Sequence, residues 1–279
     1  MTPKLIVLAL AAALPLAAQA GETLSREFKM PLVHAVFEKG DGEAGVQAYT
    51  QIFLATVSKS FGVSVRGDAE LDKDRQVRFL DTPGSCSLRK AGFILRERQE
   101  RRDVRLTLKT RSADEAWVRA TRIDAPDAKT KLEEDINSPA DGKLSRSATL
   151  KIVPRQLPAT LVEAAELFPA LKGFSAKGET LERVNGIDVR ELKYDLPSWK
   201  VDGVKFESGL SIWRDPKNNR TLFVEIDFGY DVPNDPAKAS ELDAKAKAFF
   251  YAIQADKTWS GGASQGKTEW VYQGGSFCR

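Results

Sequence analysis

The stretch FLDTPGSCSLRKAGFILRERQERRDVRLTLK (79–109) decides the fold. It reads as a β-hairpin with two chemically opposite faces. Side chains alternate along a strand. Phe93 and Leu95 therefore point one way, and Ile94, Arg96 and Arg98 the other. On the returning arm Val104, Leu106 and Leu108 share a side opposite Arg105, Thr107 and Lys109. Like charges set across a strand pair repel. Such a basic face requires water, a matching set of carboxylates or a polyanion.

Two further segments repeat the pattern with the opposite sign. In 130–136 Lys131, Glu133 and Asp135 share a side. In 221–228 Leu222, Val224, Ile226 and Phe228 form an apolar face opposite Glu225 and Asp227. The first strand, SREFKM (25–30), places Ser25, Glu27 and Lys29 together, and Arg190 lies on the face opposite Ile187 and Val189. Two architectures accommodate this. One is an open sheet whose polar faces meet water, the usual outcome for alternating strands. The other is a sheet closed on itself, with the apolar faces packed outward on helices and the charged faces lining a tunnel. Closure also removes the sheet edges. A tunnel with cations on one wall and carboxylates on another holds phosphate oxygens and a hard divalent cation.

Helical spacing marks 44–60, with Val46, Tyr49, Ile52, Phe53 and Val57, and a last helix opened by Asp235-Pro236. Residues 156–172, between Pro154 and Gly173, also read as helix. Extended runs are expected at 116–123, 187–194 and 204–213, with 137–143 a loop. About eight strands and three helices without a clear linker predict an α+β fold, a single domain over 21–279 around a large antiparallel sheet.

Residues 1–20 read as a cleaved leader: Lys4, then about fourteen apolar residues, then Ala18-Gln19-Ala20. The chain is expected to be periplasmic or secreted, with no membrane association after leader removal. Charged residues make up 29% of the chain, yet the net charge is only +3. A pI near 8.7 is too mild to argue for nucleic acid, and no nucleic-acid partner is expected. Cys86 and Cys278 are the two cysteines, and export makes a disulfide between them plausible. The single histidine, His34, excludes multi-histidine metal sites. GGASQGKT (261–268) matches the P-loop pattern by letter, but no apolar strand precedes it, and a surface loop is the better account.

The residues around the hairpin resemble the CYTH superfamily, the triphosphate tunnel metalloenzymes. The matching residues are Asp81-Thr82-Pro83, Leu88, Ala91-Gly92, Leu95-Arg96-Glu97-Arg98 and Leu106-Thr107-Leu108-Lys109. Outside them the match is thinner. Lys131-x-Glu133-x-Asp135 and Glu225-x-Asp227 are similar to two acidic strands of the family, and Ser25 stands where its first strand carries an acid. The resemblance implies an eight-stranded antiparallel β-tunnel with flanking helices that acts on a short polyphosphate or organic triphosphate with Mg²⁺ or Mn²⁺. It implies that Arg96, Arg98, Lys109, Lys131 and Arg190 grip phosphates. Glu133, Asp135, Glu225 and Asp227 would hold metal, and Glu27 and Lys29 would serve catalysis. A non-catalytic binder of a phosphorylated or anionic ligand is the other reading, motivated by Ser25.

Overall fold

The computed structural model describes residues 22–137, 142–174, 178–262, 266–273 and 275–279, so the expected leader lies outside the described residues. Ten strands form one sheet: β1 (Leu24–Pro31), β2 (Glu70–Asp81), β3 (Phe93–Glu100), β4 (Asp103–Ser112), β5 (Lys129–Ile136), β6 (Gly142–Ile152), β7 (Glu182–Arg183), β8 (Val189–Val201), β9 (Val204–Arg214) and β10 (Thr221–Asp231). Their order is β3-β4-β6-β5-β1-β10-β9-β8-β2-β7. A further β2–β3 pairing, Gln76↔Gln99 through Leu80↔Leu95, closes nine of them into a ring. The two-residue β7 only extends the β8 side of β2. All pairings are antiparallel except β1–β5.

Local chemistry sets the turns. Asp202 and Gly203, both at positive φ, join β8 to β9 in the two-residue connection that matches strand twist. Helix α1 (Glu43–Phe61) stops at Gly62, which is left-handed. The carboxylate of Asp235 accepts the amides of Ala237 and Lys238 to open α5 (Pro236–Ala255).

The apolar faces of the ring point outward. Phe28, Ile226, Phe228, Leu210, Ile212 and Leu192 pack under α1 and α5. Phe228 and Phe249 meet at 4.9 Å between ring centroids, and truncating such a side chain to Ala costs about 3–5 kcal/mol. On the other flank Phe93, Leu95, Leu106, Leu108 and Ala148 pack against Leu161, Ala164 and Phe168 around the short helix α4 (Leu161–Leu167). With the outward layer so filled, the charged positions of the same strands have only the ring's interior to occupy.

Four expectations fail here. The eight-stranded estimate missed the two-residue β7 and also β6, whose apolar row of Leu144, Leu150 and Ile152 is interrupted by Arg146 and by Ala148, a poor strand former. The run expected to be extended over 116–123 contains α3 (Glu115–Ala120), because Asp114 accepts the Trp117 amide and caps a helix. The expected helix over 156–172 contracts to α4, flanked by Pro158 and Pro169, which cannot continue a helix. Finally, β10 shifts register between Thr221 and Phe223, so Leu222 does not continue the apolar row of Val224, Ile226 and Phe228.

Candidate functional site

The interior of the ring is a cavity of about 550 Å³. Strands β3 and β4 contribute Arg96, Arg98, Arg105, Lys109 and Arg111, and β5 contributes Lys129, Lys131, Glu133 and Asp135. Glu27 and Lys29 enter from β1, Glu225 and Asp227 from β10, Glu191 and Lys193 from β8, and Arg75 from β2. The helix α6 (Lys267–Tyr272) adds Lys267. The lining thus holds eleven cations and six carboxylates, an excess of five positive charges in a chain whose net charge is +3. A smaller cavity of about 330 Å³ adjoins it, shares Glu27, Lys131, Lys193 and Asp227, and adds Asp195, Lys205, Glu207 and Asp231.

The carboxylates are neutralised from within. Lys29 Nζ lies 2.7 Å from Glu27 and 2.5 Å from Asp135, and Lys109 donates to Asp135 at 2.7 Å. Lys131 pairs with Glu133 at 2.6 Å, and Lys193 donates to Asp227 at 2.6 Å. Glu191 accepts from Arg75 and, at 2.9 Å, from the Trp213 indole. Burial works against the charged form of Glu27, but Lys29 and Lys131 outweigh it and hold the carboxyl down to about 2. Burial likewise opposes the ionised Asp135, and Lys109, Lys29 and Arg111 together hold it well below the usual carboxylate range. Asp227 goes the other way. Burial pushes it up, Lys193 only partly offsets this, and the nearby Glu27 charge adds to it.

Two residues of the basic wall have no such direct partner. Arg96 and Arg98 form no ion pair among the described residues, and the Nε of each is buried without a hydrogen-bond partner. Burial depresses both guanidinium groups. For Arg98 burial, and after it the adjacent Arg96 and Arg75, bring the pKa well below its usual value.

Oxygens of Glu27, Glu133 and Asp135 lie within 4.8 Å of one another. This all-oxygen set suits a hard divalent cation such as Mg²⁺ or Mn²⁺. Glu225 and Asp227, grouped with Glu133 and Asp135 in the sequence reading, line the same cavity but fall outside that trio. Lys267 holds Glu225 at 3.0 Å, and Lys193 holds Asp227.

One expected site residue is elsewhere. Arg190 projects from the outer surface, donating to Asp74 at 2.7 and 2.9 Å and pairing with Asp41 at 3.4 Å. Its neighbours Glu191 and Lys193 take the inner positions. The sequence reading assumed that apolar positions on this strand face outward. At this end of the ring the inner face is itself apolar: Val77, Phe79, Val189, Trp213 and Phe223 cluster with Val271 and Tyr272. Arg75, Glu191, Lys193 and Lys267 were missed for that reason, or because their segments lack a clean alternation. Ser25 lines the smaller cavity and donates to Asp231 at 2.7 Å. His34 lies in a 3-10 turn after β1, 6.4 Å from the Phe223 ring.

The Asp81-Thr82-Pro83 turn is a structural joint. The buried Asp81 carboxylate accepts the amides of Thr82, Leu88 and Arg89 and the Tyr272 hydroxyl at 2.9 Å. A Cys86–Cys278 disulfide fastens the same tail. The surface-loop reading of 261–268 is therefore wrong for Gly266, Lys267 and Thr268, which line the cavity; residues 263–265 lie outside the described residues. Among the described residues the element before the six-residue α6 is the helix α5 and not a buried strand, so the segment is no P-loop.

The closed ring with an ionic interior is the tunnel that the resemblance implies. No protein-family model matches the chain, and no curated protein matches it. Among solved structures it is similar to a putative adenylyl cyclase from Hippeastrum, described as having a dominant triphosphatase activity, at 13% identity over 88% of this chain and 93% of that one, with a TM-score of 0.39. It is also similar to a putative adenylate cyclase from Bacillus halodurans, at 12% identity over 82% and 90% with a TM-score of 0.40. A third, from Vibrio parahaemolyticus, matches at 11% identity over 90% and 99% with a TM-score of 0.37.

Proposed function

We propose that the tunnel binds a short polyphosphate or organic triphosphate and hydrolyses it with the help of a divalent metal. One observation carries this reading: Arg96 and Arg98, half-buried, with buried Nε atoms that lack a hydrogen-bond partner and no ion pair among the described residues, line the same cavity as the clustered carboxylates of Glu27, Glu133 and Asp135. Unpaired buried guanidinium groups are costly unless an anion joins them, and the planar guanidinium fork matches phosphate oxygens. Arg75, Lys109 and Lys131 extend the grip.

Glu27, Glu133 and Asp135 would hold Mg²⁺ or Mn²⁺, which when bound polarises phosphoryl oxygens and offsets their charge. Glu27, held ionised down to about 2, is a poor proton acceptor near neutrality and serves better as a fixed negative ligand than as a base. Lys29, whose neighbours Asp135 and Glu27 overcome burial and keep it protonated, supplies a fixed positive charge to the reacting phosphate. Asp227, the lining carboxylate pushed upward, is best suited to accept a proton from water. The Cys86–Cys278 bond suits an exported protein in an oxidising compartment.

Purified protein mixed with inorganic triphosphate and Mg²⁺ or Mn²⁺ should release phosphate, and EDTA should abolish release. A rise in melting temperature with triphosphate but no turnover would leave a binder. Neither effect would sink the phosphate reading.

A further inference from the structure

Helix α6 spans six residues, too few for a helix to persist alone. It nevertheless completes part of the cavity lining. Lys267 Nζ lies 3.0 Å from Glu225 and 3.8 Å from Glu191. Trp270 packs on Phe223 and on Trp213, at 5.9 Å between ring centroids for the latter, and Val271 joins the same cluster. The segment is held at both sides of the helix. Before it, the Gly261 amide donates to the Pro31 carbonyl at 2.8 Å; after it, Cys278 is bonded to Cys86. Between these points the polar contacts are single ones. The Tyr272 hydroxyl donates to Asp81 at 2.9 Å, the Arg89 guanidinium lies 4.3 Å from the centre of the Tyr272 ring, and the Asn185 side chain donates to the Val271 carbonyl at 2.8 Å. Each such contact contributes little net in water. The disulfide therefore turns α6 from a tether held at one side into a strap clamped at both. Cys86 is buried and Cys278 is half-buried, so a reductant approaches from the Cys278 side.

We propose that the Cys86–Cys278 bond is a redox lock: oxidation fixes α6 and completes the tunnel, and reduction releases α6 and opens it. In the locking step the two thiols lose two protons and two electrons to the disulfide of an exchange partner, which leaves as a dithiol. In the reverse step a thiolate of a dithiol reductant attacks Cys278 Sγ, and Cys86 leaves as a thiolate and takes up a proton. The reductant's second thiol then displaces Cys278 from the mixed disulfide and leaves a cyclic disulfide behind. Release of α6 takes Lys267 away from Glu225 and Glu191 and uncovers Trp213 and Phe223. The lining then has one cation fewer and two carboxylates less well neutralised, which disfavours an anion; this consequence rests on the phosphate reading above. The ring itself stays closed, because its β2–β3 ladder does not involve the tail. A chain kept among reducing thiols thus holds an incomplete tunnel until it meets an oxidising compartment.

Hydrogen exchange and titration calorimetry on the full chain test this in three forms: oxidised wild type, wild type reduced with dithiothreitol, and the double variant Cys86→Ser/Cys278→Ser. The amides of Trp270 and Gln273 donate to the Gly266 and Glu269 carbonyls and report on α6. In the reduced and variant forms they should exchange at least about 100-fold faster than in the oxidised form, while amides of β3 and β4 change by less than about twofold. Inorganic triphosphate should bind the oxidised form at least about tenfold more tightly than the other two. Reoxidation should restore both readings in the wild type and neither in the variant. Equal protection of α6 with and without the bond overturns the proposal. So does loss of protection in β3 and β4 together with α6, which would make the bond a support of the whole fold. Equal triphosphate affinity in all three forms, with α6 released in two of them, overturns it as well. If no form binds inorganic triphosphate, with or without Mg²⁺, while α6 still follows the redox state, the lock stands and the phosphate reading of the tunnel falls.

Discussion

Two walls of one cavity solve the problem of buried charge differently. Along β5, β1 and β10 the lining carboxylates meet cations: Glu27 and Asp135 share Lys29, Glu133 takes Lys131, Glu225 takes Lys267 and Asp227 takes Lys193. Along β3 Arg96 and Arg98 form no ion pair among the described residues, and burial lowers both guanidinium groups. The carboxylates have counter-charges within the lining before any metal joins them; Arg96 and Arg98 gain a direct partner only with a ligand. Such a difference within one lining separates charge that maintains the fold from charge that awaits an anion, because uncompensated buried charge lowers stability unless binding offsets it.

The strongest way to break that contrast is the double variant Arg96→Met/Arg98→Met. Each guanidinium contact to an anion is worth about 1.5–3 kcal/mol, so triphosphate affinity should fall by about 100-fold or more. The melting temperature of the free protein should rise at the same time. A fall would show that these arginines already serve the fold.

Asp135→Asn probes the other wall and should do the opposite. It leaves Lys29 and Lys109 buried without their shared counter-charge, and unfolding free energy should drop by about 3–5 kcal/mol in a denaturant titration. A loss below about 1 kcal/mol would put the acidic wall on the same footing as surface pairs.

Acid titration sharpens the comparison. The folded-state pKa of Glu27 is lowered from 4.5 to about 2, so its contribution is fully present above pH 4.5 and is lost as pH falls toward 2. Thermal melts of Glu27→Gln should therefore show a shallower loss of stability across that window than wild type. Parallel curves would remove Glu27 from the charge network. The smallest effect belongs to Arg190→Ala. Its pairs with Asp74 and Asp41 are on the surface, so stability should change by less than about 1 kcal/mol and triphosphate affinity by less than twofold.

The legible parts of the chain were those where alternation is strong. The hairpin 93–109 separates aliphatic from cationic positions so cleanly that its inner and outer faces, and with them Arg96, Arg98 and Lys109, could be assigned before any tertiary contact was known. The same held for Glu133, Asp135, Glu225 and Asp227. It failed where the inner face turns apolar. Val189 faces inward at the end where α6 packs, and that reversal moved Arg190 to the surface and brought Glu191 and Lys193 inside. It failed again at 144–152, where Arg146 and Ala148 interrupt the apolar row, and at 266–268, where a match by letter to a nucleotide motif concealed a side chain delivered from the tail.

Side-chain alternation is a local property, fixed by backbone geometry, so the sequence alone determined that this protein has strands with one greasy and one ionic face and that their charges come in opposing sets. Which faces meet depends on contacts between residues far apart in the chain. Tertiary structure decided that the ring closes through Gln76–Leu80 against Leu95–Gln99, that one end is stoppered by α6, and that the acids find their lysines while two arginines do not. Ring closure and ion pairing are long-range events, and no window of neighbouring residues contains them.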